Sequence, residues 1–147
     1  MSHLTRSALP DLLKEIDLFA GLPDAVIADL VASGSTLRTP GGHAVVSQGD
    51  EDAGLQVILD GTVLVDVGGV RRGGVLGPGD YFGEISVIDG GRRSATLTAE
   101  EGGVETFAIS PLTFWPLIDR HASLRRSLLK GLCARIRALD VEANATC

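Results

Sequence analysis

Aromatic side chains are few in this chain: one tryptophan, one tyrosine and four phenylalanines among 147 residues. Two of them, Phe114 and Trp115, stand at a predicted helix start, where paired aromatics anchor a helix to a core more readily than they form a base-stacking platform. Cysteine is scarcer still. Cys133 falls in a predicted helix and Cys147 is the last residue, with neither a metal-ligand spacing nor a disulfide framework, so reduced thiols are expected. His3, His43 and His121 are scattered without ligand spacing, and none neighbours an acid or nucleophile that would suggest catalysis. No metal site is expected.

Positive charge is also in short supply. Nineteen acidic residues outnumber thirteen basic ones, and the net charge of −6 disfavours a polyanion such as DNA as a direct partner. A small anion would need a local positive site, which directs attention to Arg92-Arg93. Long apolar runs are missing as well: none precedes Pro10, and none later approaches the roughly 20 residues of a membrane-spanning helix. The chain is therefore expected to lack a membrane span and to be cytoplasmic. Gly77-Pro78-Gly79 lacks the third glycine of a dinucleotide fingerprint, and no P-loop lysine is present. The length suits one domain.

Glycine, by contrast, is abundant, with 19 residues, most of them between 35 and 110. Short β-branched runs alternate with these glycines: Val45-Val46, Val57-Ile58-Leu59, Thr62 to Val65, Ala95-Thr96-Leu97 and Thr106 to Ile109. Asp60-Gly61 between two such runs predicts a two-residue hairpin. The even spacing suits a small barrel or jelly roll, and the connections are too short for the helical crossovers of a parallel sheet.

Helical spacing brackets this region. Pro10, Leu12, Leu13, Ile16 and Phe19 predict a first helix, and Pro23-Asp24 opens a second that carries Val26, Ile27, Leu30 and Val31 and stops at Gly34. After Ser110-Pro111, a cap and first-turn proline, a helix runs through Leu117, with Pro116 expected to kink or restart it. A final amphipathic helix is predicted from about Ala122 to Val141, with Leu124, Leu128, Leu132, Ile136 and Leu139 among basic residues. Gly131 in its middle costs about 1 kcal/mol relative to alanine, which points to a bend or a close contact there. The expected extents are 1–34 for the N-terminal helices, 35–110 for the β region and 111–141 for the C-terminal helices.

The most specific chemistry lies in Gly79-Asp80-Tyr81-Phe82-Gly83-Glu84 and on to Arg92-Arg93-Ser94-Ala95-Thr96, where Glu84 and Arg93 stand nine positions apart around a short apolar turn. A carboxylate accepts hydrogen bonds from vicinal ribose hydroxyls, and a planar guanidinium suits phosphate oxygens. Ile85 to Ile88 between them can form a helical turn with free N–H groups. That combination is the chemistry of a sugar phosphate.

This segment resembles the phosphate-binding cassette of the cyclic nucleotide-binding domain family, through Phe82-Gly83-Glu84, the Glu84 to Arg93 separation and the Arg93-Ser94-Ala95 ending. The resemblance extends from Leu18-Phe19-Ala20-Gly21-Leu22, through Gln48-Gly49-Asp50 and Asp60-Gly61, to the charged C-terminal helix. It implies an α+β fold: a β jelly-roll barrel of about eight antiparallel strands, flanked by N-terminal helices and a C-terminal helical lid. It also implies a non-catalytic sensor whose ligand is cAMP, with cGMP as the alternative, and whose output is movement of the C-terminal helices. By position, Glu84 would accept from the ribose 2′-hydroxyl and Arg93 would pair with the exocyclic phosphate oxygens. Phe82, Gly83, Ile85, Ser86, Ser94 and Ala95 complete the expected contacts.

Two departures from the family pattern stand out. Arg92 replaces a frequent proline and is expected as a solvated neighbour that raises local potential. The last helix offers no aromatic lid, so Leu132, Arg135 or Ile136 are the candidates to cover the base, each equally a packing or surface residue. Two other function classes stay open: a cupin-type metal enzyme, which would need a ligand triad, and a dimerising scaffold. Only Glu142 to Cys147 follow the last helix, so no DNA-reading module is expected. The partner is then a second copy through that helix, or an effector domain of a longer protein.

Overall fold

The structure is a computed structural model describing residues 8–51 and 54–145, without side chains at 73 and 140–145. His3 and Cys147 lie outside the described residues. In chain order the elements are α1 (Leu9–Lys14), a 3-10 turn (Asp17–Phe19), α2 (Asp24–Ser33), β1 (Ser35–Thr39), β2 (Ala44–Val46), β3 (Leu55–Asp60), β4 (Val63–Val67), β5 (Val70–Leu76), β6 (Tyr81–Phe82), α3 (Glu84–Asp89), β7 (Thr96–Ala99), β8 (Val104–Ile109), α4 (Pro111–Arg120) and α5 (Ala122–Ala145).

The strands form two four-stranded antiparallel sheets, ordered β1-β8-β3-β6 and β2-β7-β4-β5. Antiparallel jelly-roll architecture with flanking helices is therefore present, with one correction: no ladder among the described residues joins the sheets, so the barrel is not closed. Strand β3 shows why its run is continuously apolar. Leu55 and Val57, opposite Ile109 and Phe107 on β8, pack under the helices with Leu13, Phe19, Ile27, Leu30 and Phe114. Ile58 faces the other way, into a core between the sheets with Val46, Val63, Phe82, Leu97 and Val104. A strand buried on both faces needs no alternation. Its polar member Gln56 is satisfied by Thr106 Oγ1, which donates to Gln56 Oε1 at 2.8 Å. Each large side chain so buried contributes about 1.5–3 kcal/mol of transfer free energy.

Several local expectations need correction. Asp60-Gly61 is not a hairpin, because β3 and β4 belong to different sheets and the turn carries the chain from one to the other. The tight hairpin is β4–β5, where Val67 pairs with Val70 around Gly68 (φ 59°) and Gly69 (φ 81°), two positive dihedrals that only glycine adopts freely. The first helix does not run to Phe19: Ile16 is extended (ψ 126°), and the 3-10 turn then buries Leu18 and Phe19. Helix α4 continues through Pro116, and the break comes at His121 (φ −120°, ψ 104°). Pro116 withholds a donor only from the Leu112 carbonyl, in the first turn beside a fully exposed side chain, where water can serve instead. Phe114 is buried in the core, whereas Trp115 is 39% exposed and anchors nothing fully.

Among the described residues no helix is long and apolar enough to cross a membrane. Nor do any three His, Cys, Asp or Glu side chains among them group to hold a metal ion, so a cupin-type triad finds no donor set there.

Candidate functional site

Strand β6 is an edge of the first sheet, held by the pairs Gln56 with Phe82 and Val57 with Tyr81. The chain then turns at Gly83 (φ 93°) directly into α3, whose first intrahelical bond runs from the Val87 N–H to the Gly83 carbonyl at 3.1 Å. This leaves the amides of Ile85 and Ser86 ahead of the ladder. Gly83 is constrained twice over. Its φ disfavours any L side chain, and an added Cβ would collide with Arg93 Nη1 and come within 2.5 Å of the Gly54 carbonyl oxygen. The glycine is therefore the surface against which the Arg93 guanidinium lies.

Helix α3 ends after six residues at Gly90 (φ 71°), and the return loop is fixed at each step. Gly91 N–H donates to Asp89 Oδ1 at 2.7 Å, and Ser86 Oγ donates to the Arg92 carbonyl at 3.1 Å. Arg93 N–H donates to the Asp50 carbonyl at 2.8 Å, and its own carbonyl accepts from Gly49 N–H at 2.9 Å. Gln48-Gly49-Asp50 is thus the clamp that holds the backbone of Arg93. Gln48 is itself tied down, its N–H donating to Thr96 Oγ1 at 2.9 Å and its Oε1 accepting from Gly68 N–H at 2.7 Å.

The two adjacent arginines take opposite environments. Arg93 is 4% exposed. Arg92 points to solvent, paired with Glu51 at 2.8 Å and donating to the Gly49 carbonyl at 3.0 Å, so its charge is compensated on the surface. Arg92 is thus the solvated neighbour expected.

Glu84 is 1% exposed. Burial pushes its carboxyl above the ordinary range, opposed by Arg135, by its own backbone N–H and by Arg93. Arg135, on α5, places Nη1 2.9 Å from Glu84 Oε1 and donates from Nη2 to the Tyr81 carbonyl at 3.1 Å. Tyr81 completes this junction. Its phenol is pushed up by burial and by the Glu84 charge, with Arg135 opposing, and its hydroxyl abuts α5 where an added Cβ on Gly131 would collide with it. Gly131 marks a close approach, as its place in mid-helix suggests.

All eight residues expected to contact a ligand, Phe82 to Ser86 and Arg93 to Ala95, line one cavity of about 560 Å³. Its opposite wall is mostly apolar, with Val46, Val65, Val67, Leu76 and Leu97 from the second sheet, and Arg72 of β5 also lines the cavity. Those residues were not expected at the site; their signal is the alternation along β4 and β7, whose inward face becomes known only once the strands are paired. Of the three lid candidates, Arg135 lines the cavity. Leu132 and Ile136 do not, Ile136 being 58% exposed, and Ala134, Ala138 and Leu139 take the place expected of them.

The geometry thus sets a buried carboxyl and a buried guanidinium on one wall of a cavity whose other wall is mostly apolar, which suits a ligand carrying hydroxyls, an anion and a flat apolar part. The sequence profile described as the cyclic nucleotide-binding domain matches residues 36–121. The cyclic AMP receptor protein of Thermus thermophilus is 35% identical over 138 residues, which cover 90% of this chain and 62% of that protein. The crystal structure of the Thermus thermophilus catabolite activator protein superposes with a TM-score of 0.74 at 30% identity, over 88% of this chain and 62% of that one. The regulatory domain of Toxoplasma gondii PKA, solved with cAMP, shares the fold at a TM-score of 0.73 and 22% identity, over 87% of this chain and 50% of that one. The chain therefore spans less than two thirds of the length of each of these proteins.

Proposed function

The chain belongs to the cyclic nucleotide-binding domain family, a regulatory family without catalytic machinery of its own, and on that premise we propose that it binds cAMP, with cGMP as the alternative ligand. The observation that carries this reading is a buried carboxyl and a buried guanidinium, Glu84 at 1% exposure and Arg93 at 4%, on the wall of a single cavity. Groups of this kind are rarely buried without a partner that uses them. Glu84 accepts from the ribose 2′-hydroxyl; its Oε2 accepts no hydrogen bond within the protein. Arg93 pairs with the exocyclic phosphate oxygens, with Ser94 beside them and the amides of Ile85 and Ser86 turned to the same anion. The base lies against the apolar wall of Val65, Val67 and Leu97. The cyclic AMP receptor protein of Thermus thermophilus and the Toxoplasma gondii PKA regulatory domain solved with cAMP support the choice of adenine.

Binding is the function, and the output is the position of 111–141. A ligand moves these helices only by its differential affinity for two arrangements. The domain is a single unit over 1–147, works in the cytoplasm and makes no direct contact with nucleic acid. Leu129, Ile136 and Leu139 are exposed on α5, and their spacing suits pairing with a second copy. Calorimetric titration with cAMP and separately with cGMP tests the proposal: saturable heat with cAMP is expected, and no heat with either nucleotide overturns it.

A further inference from the structure

A guanidinium stands on the mostly apolar wall of the second sheet. Arg72, on β5, lines the cavity beside Val65, Val67 and Leu76, and the pairing of the strands explains how it comes to be there. Leu64 pairs with Val75 and Asp66 with Arg71, so Val65 alone on β4 stands opposite Arg72, Gly73 and Gly74 on β5. The bulge so formed carries two glycines, and Gly74 takes a φ of 70° that a residue with a Cβ rarely adopts. Bulges of this kind re-aim a side chain. Arg71 does not line the cavity and is ion-paired with Asp66 at 2.8 Å, whereas its neighbour Arg72 joins the cavity wall.

The place of Arg72 relative to the cassette decides what it meets. Arg93 lies just before β7, and in the sheet order β2-β7-β4-β5 the strand that bears Arg72 is two places from β7, about 10 Å at the usual strand spacing. A nucleotide with its phosphate at Arg93 and its ribose at Glu84 therefore turns the far side of its base towards β5. A guanidinium carries five N–H donors and no acceptor, so it needs an acceptor on that edge. N3 of a purine lies beside the sugar, and N1 carries a hydrogen in guanine; N7 is an acceptor in adenine and guanine alike. We propose that Arg72 is a specificity-determining residue that donates to N7 of the bound purine, an acceptor that pyrimidines lack. The inference rests on the proposed cyclic-nucleotide reading and adds to it the group that recognises the base. In guanine, O6 next to N7 gives the fork a second acceptor, whereas adenine offers N7 alone on that edge, flanked by its N6 donor.

Calorimetric titration of the whole chain with cAMP and with 7-deaza-cAMP, in which a C–H replaces N7, tests the contact in wild type and in Arg72→Ala. If cGMP is the nucleotide that binds, it and its 7-deaza analogue take their place. Arg72 is exposed, which puts a hydrogen bond to its charge at the lower end of the usual range, about ten-fold in affinity. Wild type should therefore bind cAMP about ten-fold more tightly than the 7-deaza analogue, and Arg72→Ala should bind the two equally. Because each protein is compared with itself, a general weakening by the substitution moves both ligands together and leaves the preference readable. A ten-fold preference that persists in Arg72→Ala overturns the inference, as does a wild type that binds the two equally; in both cases the nucleotide binds and the ligand reading stands. A wild type that binds neither cAMP nor cGMP overturns both.

Discussion

Replacing Gly83 by alanine offers a clean test of how the cassette is assembled, because two separable costs fall on one position. The first is conformational: at φ 93° an L side chain is strained by about 1–2 kcal/mol. The second is steric. The new Cβ would meet Arg93 Nη1 and lie 2.5 Å from the Gly54 carbonyl oxygen, a rigid backbone atom that cannot swing aside. Overpacking of that kind adds about 1–3 kcal/mol. Gly79 supplies the control, since its φ is nearly the same at 92° and an added Cβ there meets nothing within 4 Å. Urea unfolding followed by circular dichroism should therefore show Gly79→Ala losing about 1–2 kcal/mol and Gly83→Ala losing about 1–3 kcal/mol more, with similar m-values. Equal losses in the two variants would refute the claim that the Arg93 guanidinium is packed against Gly83.

Further outcomes follow from the same contacts. Gly131→Ala should fail to deliver the roughly 1 kcal/mol expected of a helical glycine replacement, because its Cβ strikes the Tyr81 hydroxyl; in a Tyr81→Phe background, where the nearest ring carbon is 3.5 Å away, the gain should return. If alanine stabilises both backgrounds equally, the close approach is wrong. Glu84 binds its proton more tightly in the folded than in the unfolded chain. Its contribution to stability is therefore present below the ordinary carboxylate value and is lost as pH rises through the window up to its elevated one. The stability difference between wild type and Glu84→Gln should shift against the wild type across that window, and a difference constant with pH would contradict the burial argument. Saturation with cAMP at about 100 times its dissociation constant should contribute about 2.7 kcal/mol and raise the melting temperature by roughly 5–10 °C; no shift would speak against a folded-state ligand.

The cassette was legible in the sequence because its parts are contiguous. Phe82 to Ala95 form a strand end, a turn, six helical residues and a return loop, so spacing alone brings Glu84 and Arg93 to one wall. Gln48-Gly49-Asp50 was visible only as a motif; its work in holding the Arg93 backbone depends on hydrogen bonds spanning more than forty residues. The apolar wall was not legible, since which faces of β4 and β7 point inward follows from strand pairing rather than from local pattern. Asp60-Gly61 misled for a related reason. A turn dipeptide fixes a reversal of the chain, whereas membership of the next strand in the same sheet is decided by long-range packing. Arg135 was visible as a candidate at the site, yet its partner was not, because a helix-borne guanidinium reaches Glu84 only through the docking of α5, which the close approach of Gly131 and Tyr81 permits.

The central claim is that one cyclic nucleotide lies between Glu84 and Arg93, and calorimetric titration of cAMP into wild type and Arg93→Ala tests it most directly. Hydrogen bonds to a charged group contribute about 1.5–3 kcal/mol each, so loss of a two-pronged phosphate contact should weaken binding by roughly 100-fold or more while the unfolding transition remains cooperative. Undiminished affinity in Arg93→Ala would contradict the account.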